Sequence, residues 1–219
     1  MPDISMASAG NGDRVYRAIK ARAVACDFNP GEPIRLSPLA TQLGVSTTPI
    51  RAALNMLVAE GLVRREPQKG FFAMSLSEDR FEGLYSLNQL LLEAALTVHR
   101  PSTELLAAAA PIVADIGNKL DDDEHCTPDA VLRYTGELFL CIAKLSNNAH
   151  VVESVERAND GLTYIRVLEC QQLDGIRAEL MTICELFLAE RLDAAARAIA
   201  DYHACRLARM PELLAALRP

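Results

Sequence analysis

The strongest periodic signal in the chain lies at residues 44–63, GVSTTPIRAALNMLVAEGLV. Ile50, Ala53, Leu54, Leu57 and Val58 recur at the i, i+3, i+4, i+7, i+8 spacing of a helix that buries one face. Arg51 and Asn55 project from another face, together with the short polar side chains of Thr47 and Thr48 at the helix start. Gly44-Val45-Ser46 makes a tight turn ahead of it, the threonines can cap it, and Gly61 suits a left-handed C-cap. Upstream, Asp13 caps a helix running to about Cys26, with Val15, Ile19 and Ala23 inward. Asn29-Pro30-Gly31-Glu32-Pro33 stops that helix and turns the chain. Ser37-Pro38 reads as the cap and first residue of a short helix carrying Leu39, Ala40 and Leu43. Past the strongest helix, 62–66 and 70–74 read as two short strands, with Pro67-Gln68-Lys69-Gly70 turning between them.

A short helix joined by a glycine turn to a second helix that offers Arg, Asn and Thr is what reading a major groove requires. A basic hairpin beside it is a wing, placed to touch phosphates or the minor groove. These residues predict a DNA-binding regulator.

From Ser77 onward the strand pattern disappears. Helices are expected at about 77–99, 102–121, 127–146, 149–172, 175–190 and 192–217. Arg100-Pro101-Ser102, the acidic run 121–124, Pro128, Ser146-Asn147-Asn148 and Asp174-Gly175 punctuate them. Apolar stripes run through Val131, Leu138, Ile142 and Leu145, then Ile176, Leu180, Ile183 and Phe187. The last runs through Leu192, Ala196, Ile199, His203, Leu207 and Met210. Helices of this number can enclose a core and hold a small-molecule cavity between them. The expected fold is mainly α: a disordered tail over 1–12, a winged helix-turn-helix of three helices and a two-stranded wing over 13–75, and an all-helical effector-binding and dimerisation bundle over 76–219.

Charge sharpens the boundary near residue 76. The overall −7 divides into nine Lys/Arg against six Asp/Glu in residues 1–75, and thirteen against twenty-three in the rest. A polyanion is attracted to the first part and repelled by the second. The N-terminal residues lack the basic start and apolar core of a signal peptide, and no apolar run reaches the roughly 18 residues of a membrane span, so a cytoplasmic protein is expected. Cys26, Cys126, Cys141, Cys170, Cys184 and Cys205 form no CxxC and read as small buried hydrophobes. The acidic run reads as a solvated loop, since its consecutive spacing matches no calcium loop.

The run PGEPIRLSPLATQLGVSTTPIRAALNMLVAEGLVRREPQKGFF resembles the winged helix-turn-helix of the GntR family of bacterial transcription regulators. That resemblance implies that Arg51 and Gly70 approach DNA, and that Arg35, Ser46, Thr48 and Lys69 hold its backbone or bases. Two departures stand out. Thr47 occupies a position where the family usually has Arg, and an Arg there can pair bidentately with guanine. Losing that contact removes roughly 1–3 kcal/mol of discrimination, so a different operator is expected. Pro38 replaces a position that is often charged. Asn55, four residues past Arg51, completes the expected DNA-facing set.

The second half is similar to the helical effector domain of the FadR-type (FCD) branch of that family. The similarity rests on helix order, on LYSLNQLLLEAA, on LSNN in mid-domain and on the closing Ala-rich helix with His203. Many such domains bind a divalent metal through an Asp and three His, which helps hold a carboxylate effector. Here the resemblance places Thr135 where the Asp belongs, Phe139 at the first His, Leu180 or Met181 at the second, and His203 at the last. One imidazole makes no useful site, so no metal and no other cofactor is expected. His99, His125 and His150 fall at helix ends or loops, and Cys141 or Cys184 would have to approach His203 to rebuild one. Without metal, an anionic effector needs Arg or polar donors. Arg133, Tyr134, Asn159, Tyr164 and Arg166 lie on helices that could supply them, beside Thr135, Phe139 and His203.

The expectation is a ligand-responsive repressor, not an enzyme, that binds a two-fold symmetric double-stranded DNA operator as a homodimer and answers to a small-molecule effector. A constitutive DNA binder with a pocket filled by Phe139 and Leu180 is the alternative. An enzyme on the helical bundle is the weaker one, because the acidic half shows no nucleophile–base pair, phosphate loop or paired metal motif.

Overall fold

The computed structural model describes residues 4–25, 27–122 and 126–215, with side chains from residue 12 onward. Cys26, His125 and the second half of the acidic run, residues 123 and 124, lie outside the described residues. The chain forms two compact units, Met1–Leu76 and Ser77–Pro219.

In the first unit α1 (Ile4–Val24) is followed by β1 (Pro33–Ile34), α2 (Leu36–Leu43), α3 (Thr47–Ala59), β2 (Val63–Glu66) and β3 (Gly70–Ala73). Ile50, Ala53, Leu54 and Leu57 of α3 are buried as their spacing requires, against Val15 and Ile19 of α1 and Leu39 and Ala40 of α2. Each fully buried aliphatic side chain stabilises the module by roughly 1.5–3 kcal/mol. Gly44 and Gly61 end α2 and α3 at φ of 65° and 73°. Behind Gly61 the Leu62 amide donates to the Leu57 carbonyl at 2.9 Å and the Gly61 amide to Val58 at 3.1 Å, which closes the helix end with a left-handed residue.

Several boundaries differ from the sequence reading. Backbone helix extends back to Ile4 through Gly10-Asn11-Gly12, where a disordered tail was expected. Helix α2 starts at Leu36 with Arg35 at the cap, not Ser37; Pro38 then falls within the first turn, where its missing N–H costs nothing. Ser46, not a threonine, holds the cap position of α3, and it makes no side-chain cap bond. A strand appears at Pro33–Ile34 inside the predicted turn. It pairs antiparallel with β3 (Ile34 opposite Phe71), as does β2 (Arg64 opposite Phe72), so the sheet order is β1-β3-β2. Two residues are too short to show an alternating pattern, and only the partner strand reveals them.

The second unit is helical among its described residues: α4 (Glu78–Thr97), α5 (Thr103–Asp121), α6 (Pro128–Lys144), α7 (Ala149–Gln172), α8 (Ile176–Leu188) and α9 (Leu192–Ala215). Every expected helix is present, with ends within about two residues of the reading. Ser102, Thr127 and Asn148 accept hydrogen bonds from first-turn amides and fix three of the starts. Helix α4 packs on α7 and α9, α6 on α7, and α5 on α8, around a core that includes Leu92, Leu138, Ile142, Leu180, Ile183 and Ile199. No described helix is long and apolar enough to cross a membrane.

Candidate nucleic-acid interface and buried polar cluster

On the first unit, α3 turns Thr47, Thr48, Arg51 and Asn55 to solvent opposite its buried stripe, and Ser46 precedes them, also exposed. The uncapped start of α3 leaves backbone N–H groups facing outward, a favourable end for phosphate. Arg35, at the start of α2, is exposed. The wing is tied to the recognition helix: Arg65 on β2 donates to the Asn55 side-chain oxygen at 3.4 Å. At the wing tip Gln68 and Gly70 have φ of 64° and 102°, which turns the chain within three residues and leaves Lys69 exposed. Glu66 sits between the wing cations, paired with Lys69 at 3.1 Å and with Arg64. Lys69, then Arg64, hold its carboxyl below the usual range. Asn55 and Lys69 thus already have partners inside the protein, whereas no pairing accompanies Arg51 among the described residues.

In the second unit the predicted effector residues separate. Arg133 is on the surface, its side chain 61% exposed, donating to the Tyr134 hydroxyl at 3.0 Å and lying 3.8 Å from Glu137. Its helical phase points away from the core, so it does not join the others. Thr135 is buried, and its hydroxyl is committed to the Val131 carbonyl at 2.8 Å. Phe139, Arg166 and His203 come together: the Arg166 guanidinium lies 5.4 Å from the Phe139 ring centre, and the His203 ring stacks on Phe139 at 5.5 Å.

Around them lie further polar residues, of which only Asn159 was among the candidates. Tyr85 on α4 donates its hydroxyl to Glu169 on α7. Arg206, one turn past His203 on α9, pairs with Glu179 and approaches Glu169 at 3.8 Å, and its guanidinium covers the Tyr202 ring at 3.5 Å. Asn88 of α4 donates to Asn159 at 3.3 Å, and Asn159 also accepts from Arg166 Nη1 at 2.9 Å. The i, i+3 repeats Arg166/Glu169 and His203/Arg206 were the available clue, since each pair shares a helix face.

The cluster is not internally satisfied. Arg166 is 2% exposed and His203 fully buried, yet Arg166 Nε and Nη2, His203 Nε2, Arg206 Nη2 and the Asn88 oxygen have no hydrogen-bond partner. His203 Nδ1 lies 2.7 Å from the Ile199 carbonyl, so Nδ1 carries the proton and Nε2 is a bare acceptor. Burial pushes His203 down to about 3; the Ile199 carbonyl opposes this, and the Arg166 and Arg206 charges add to it. Burial likewise pushes the Glu169 carboxyl up, against the Tyr85 hydroxyl and the two arginines.

The donor set does not fit a metal. Thr135 is held by its own backbone, Phe139 offers no ligand atom, and among the described residues no three His, Cys, Asp or Glu side chains converge. Cys141 and Cys184 are buried thiols, with Cys184 pushed up to about 12 by burial, which suits apolar packing. His99 and His150 are exposed.

The sequence profile of the bacterial regulatory proteins of the gntR family matches residues 11–73. Beyond that module, the chain is 30% identical over 151 residues to the Nta operon transcriptional regulator of Aminobacter aminovorans, spanning 68% of this chain and 70% of that protein. The chain belongs to the gntR family. It is a DNA-binding transcription regulator, and the family is one of regulators rather than enzymes. Over 85 residues it is 34% identical to the transcriptional repressor GlaR of Escherichia coli, across 37% of this chain and 39% of that one. In fold it is similar to a putative GntR regulator from Rhodococcus, with a TM-score of 0.71 at 17% identity over 95% of this chain and all of that one. It is also similar to McbR/YncC of E. coli, with a TM-score of 0.66 at 16% identity over 95% and 99%.

Proposed function

We propose that the chain is a ligand-responsive repressor of the FadR-type (FCD) branch, acting in the cytoplasm as a homodimer on a two-fold symmetric operator. Ser46, Thr47, Thr48, Arg51 and Asn55 read the major groove, with Arg35, Lys69 and Gly70 on the backbone or in the wing contact. The effector seat is the polar cluster around Phe139, Arg166 and His203. One observation carries this: a fully enclosed set of polar atoms left without partners, at a cost of about 1–3 kcal/mol each, is retained only where something else completes it. Tyr85 and Asn88 bring α4 into that cluster, and α4 is joined to wing strand β3 by residues 74–77 alone. A ligand there releases DNA to the extent that it prefers the DNA-free arrangement. Leu87 and Leu90 on α4 and Val98 at its C-terminal cap, all exposed, support a second copy as partner.

The alternative of an effector-less regulator is supported by the full burial of Phe139 and Leu180. Selection of a tight-binding duplex from random DNA, followed by sedimentation of the complex, tests the first reading. An inverted repeat carrying two chains is expected, and its affinity falls on adding the metabolites that the protein binds. One chain on an asymmetric site, or an affinity that no bound metabolite changes, contradicts it.

A further inference from the structure

We propose that the polar cluster, if it is the effector seat argued above, holds its anion without a metal: the Arg166 guanidinium is the fixed positive charge, and the ligand is a small planar oxyanion, a carboxylate foremost, seated on its Nε–Nη2 edge. The two buried arginines of the helical unit differ in a way that identifies this edge. Arg206 has two carboxylates, Glu169 and Glu179. Arg166 has none. Its Nη1 is engaged by Asn159, and its face lies toward the Phe139 ring. What remains is Nε–H and one Nη2–H, which run parallel within the guanidinium plane and form the side-on fork that matches both oxygens of a carboxylate. A buried charge without a hydrogen-bonded counter-ion is costly, and proteins normally pair or neutralise it. Guanidinium does not neutralise, and Glu169, held by Tyr85 and Arg206, makes no hydrogen bond to this edge, which leaves it open to a counter-charge from outside the chain. Neither His203 nor the phenyl ring of Phe139 competes: the imidazole is uncharged at neutral pH and offers only an acceptor at Nε2.

The same residues explain why a cation is not part of the seat. A divalent ion would sit among Thr135, Phe139, Leu180 or Met181, and His203, which provide one nitrogen and little else. It would also stand near an arginine that already carries the charge a carboxylate needs.

The test is thermal unfolding of the full-length protein after dialysis against EDTA, with formate or acetate compared with chloride at equal ionic strength. Wild type should gain about 2–4 °C in carboxylate over chloride, unchanged by EDTA. Arg166→Met, which removes the unpaired charge at similar volume, should unfold no lower than wild type in chloride and show no carboxylate gain. Arg166→Lys, which keeps the charge but loses the fork, should show less than half the gain, and serves if the methionine variant does not fold. No carboxylate gain in wild type, an equal gain in either variant, or a gain that appears only with added zinc or manganese overturns the proposal. Operator affinity measured in the same buffers separates the two claims. Carboxylate binding that leaves operator affinity unchanged sinks the regulatory reading and spares the site. Operator release by a metabolite, without the Arg166-dependent gain, sinks the site alone.

Discussion

Glu66 and Lys69 form an ion pair of 3.1 Å across the tip of the wing, and the same carboxylate holds Arg64. The wing therefore carries its own counter-ion, which competes with any DNA phosphate for the same two cations. Removing that competitor frees two cations. Glu66→Gln should bind duplex DNA several-fold more tightly at physiological salt, with a log K against log[salt] slope steeper by about 1 to 2. Fluorescence anisotropy across a salt series reads both quantities; unchanged affinity and slope would mean that the wing cations do not reach phosphate.

Gly61 closes the recognition helix at φ 73°, with open space where a Cβ would go. The cost of Gly61→Ala is therefore conformational rather than steric, about 1 kcal/mol or slightly more. Urea unfolding should show that loss with an unchanged m-value. A neutral substitution would show that the helix end relaxes without the left-handed residue.

His203 gives the stability a definite acid limb. Its folded-state pKa, near 3, is depressed below the ordinary 6.5, so its contribution is complete above 6.5 and is lost as pH falls between those values. The slope is at most about 1.4 kcal/mol per pH unit. Relative to His203→Gln, wild type should lose ground steadily from pH 6.5 to pH 4 in chemical denaturation. Parallel curves for the two proteins would mean that the imidazole is protonated without penalty.

Arg206 is enclosed with Glu169 and Glu179 at the meeting of α7, α8 and α9. Arg206→Ala leaves the Glu169 carboxylate buried with the Tyr85 hydroxyl and only the Arg166 charge, which forms no ion pair with it, at a cost of about 3–5 kcal/mol. Arg206→Met together with Glu169→Gln should recover most of that loss. Equilibrium unfolding of the single and double variants measures the recovery, and its absence would show that the pair is held for its geometry rather than its charge balance.

How much could be read in advance follows from the physics of each element. The stripe at Ile50, Leu54 and Leu57 and those of the helical unit repeat over three turns or more, so the period alone placed these helices and the exposed Arg51 and Asn55 opposite the core. Strand β1, two residues long, has no period and exists only through its pairing with β3. The start of α2 was misplaced because Ser37-Pro38 imitates a cap, and only the extended backbone of Arg35 decides the matter. Inside the helical unit, Arg133 and Arg166 are alike in sequence terms. Which of them is buried depends on helix phase against three neighbours, information that no local window contains. Glu169 and Arg206 escaped notice for the same reason: each looks like an ordinary surface charge until its helix is packed.

The central claim is that α3 and the wing read a defined operator. It is tested most directly by competition binding of wild type and Arg51→Ala to a selection-enriched duplex against a scrambled one. Arg51 is exposed on α3 beside the predicted groove-reading residues, so its loss should cost about 1–3 kcal/mol, at least fivefold, on the enriched duplex. Binding to the scrambled duplex should change far less. Equal affinity of the two proteins for the enriched duplex, or an equal loss on both duplexes, would contradict that account.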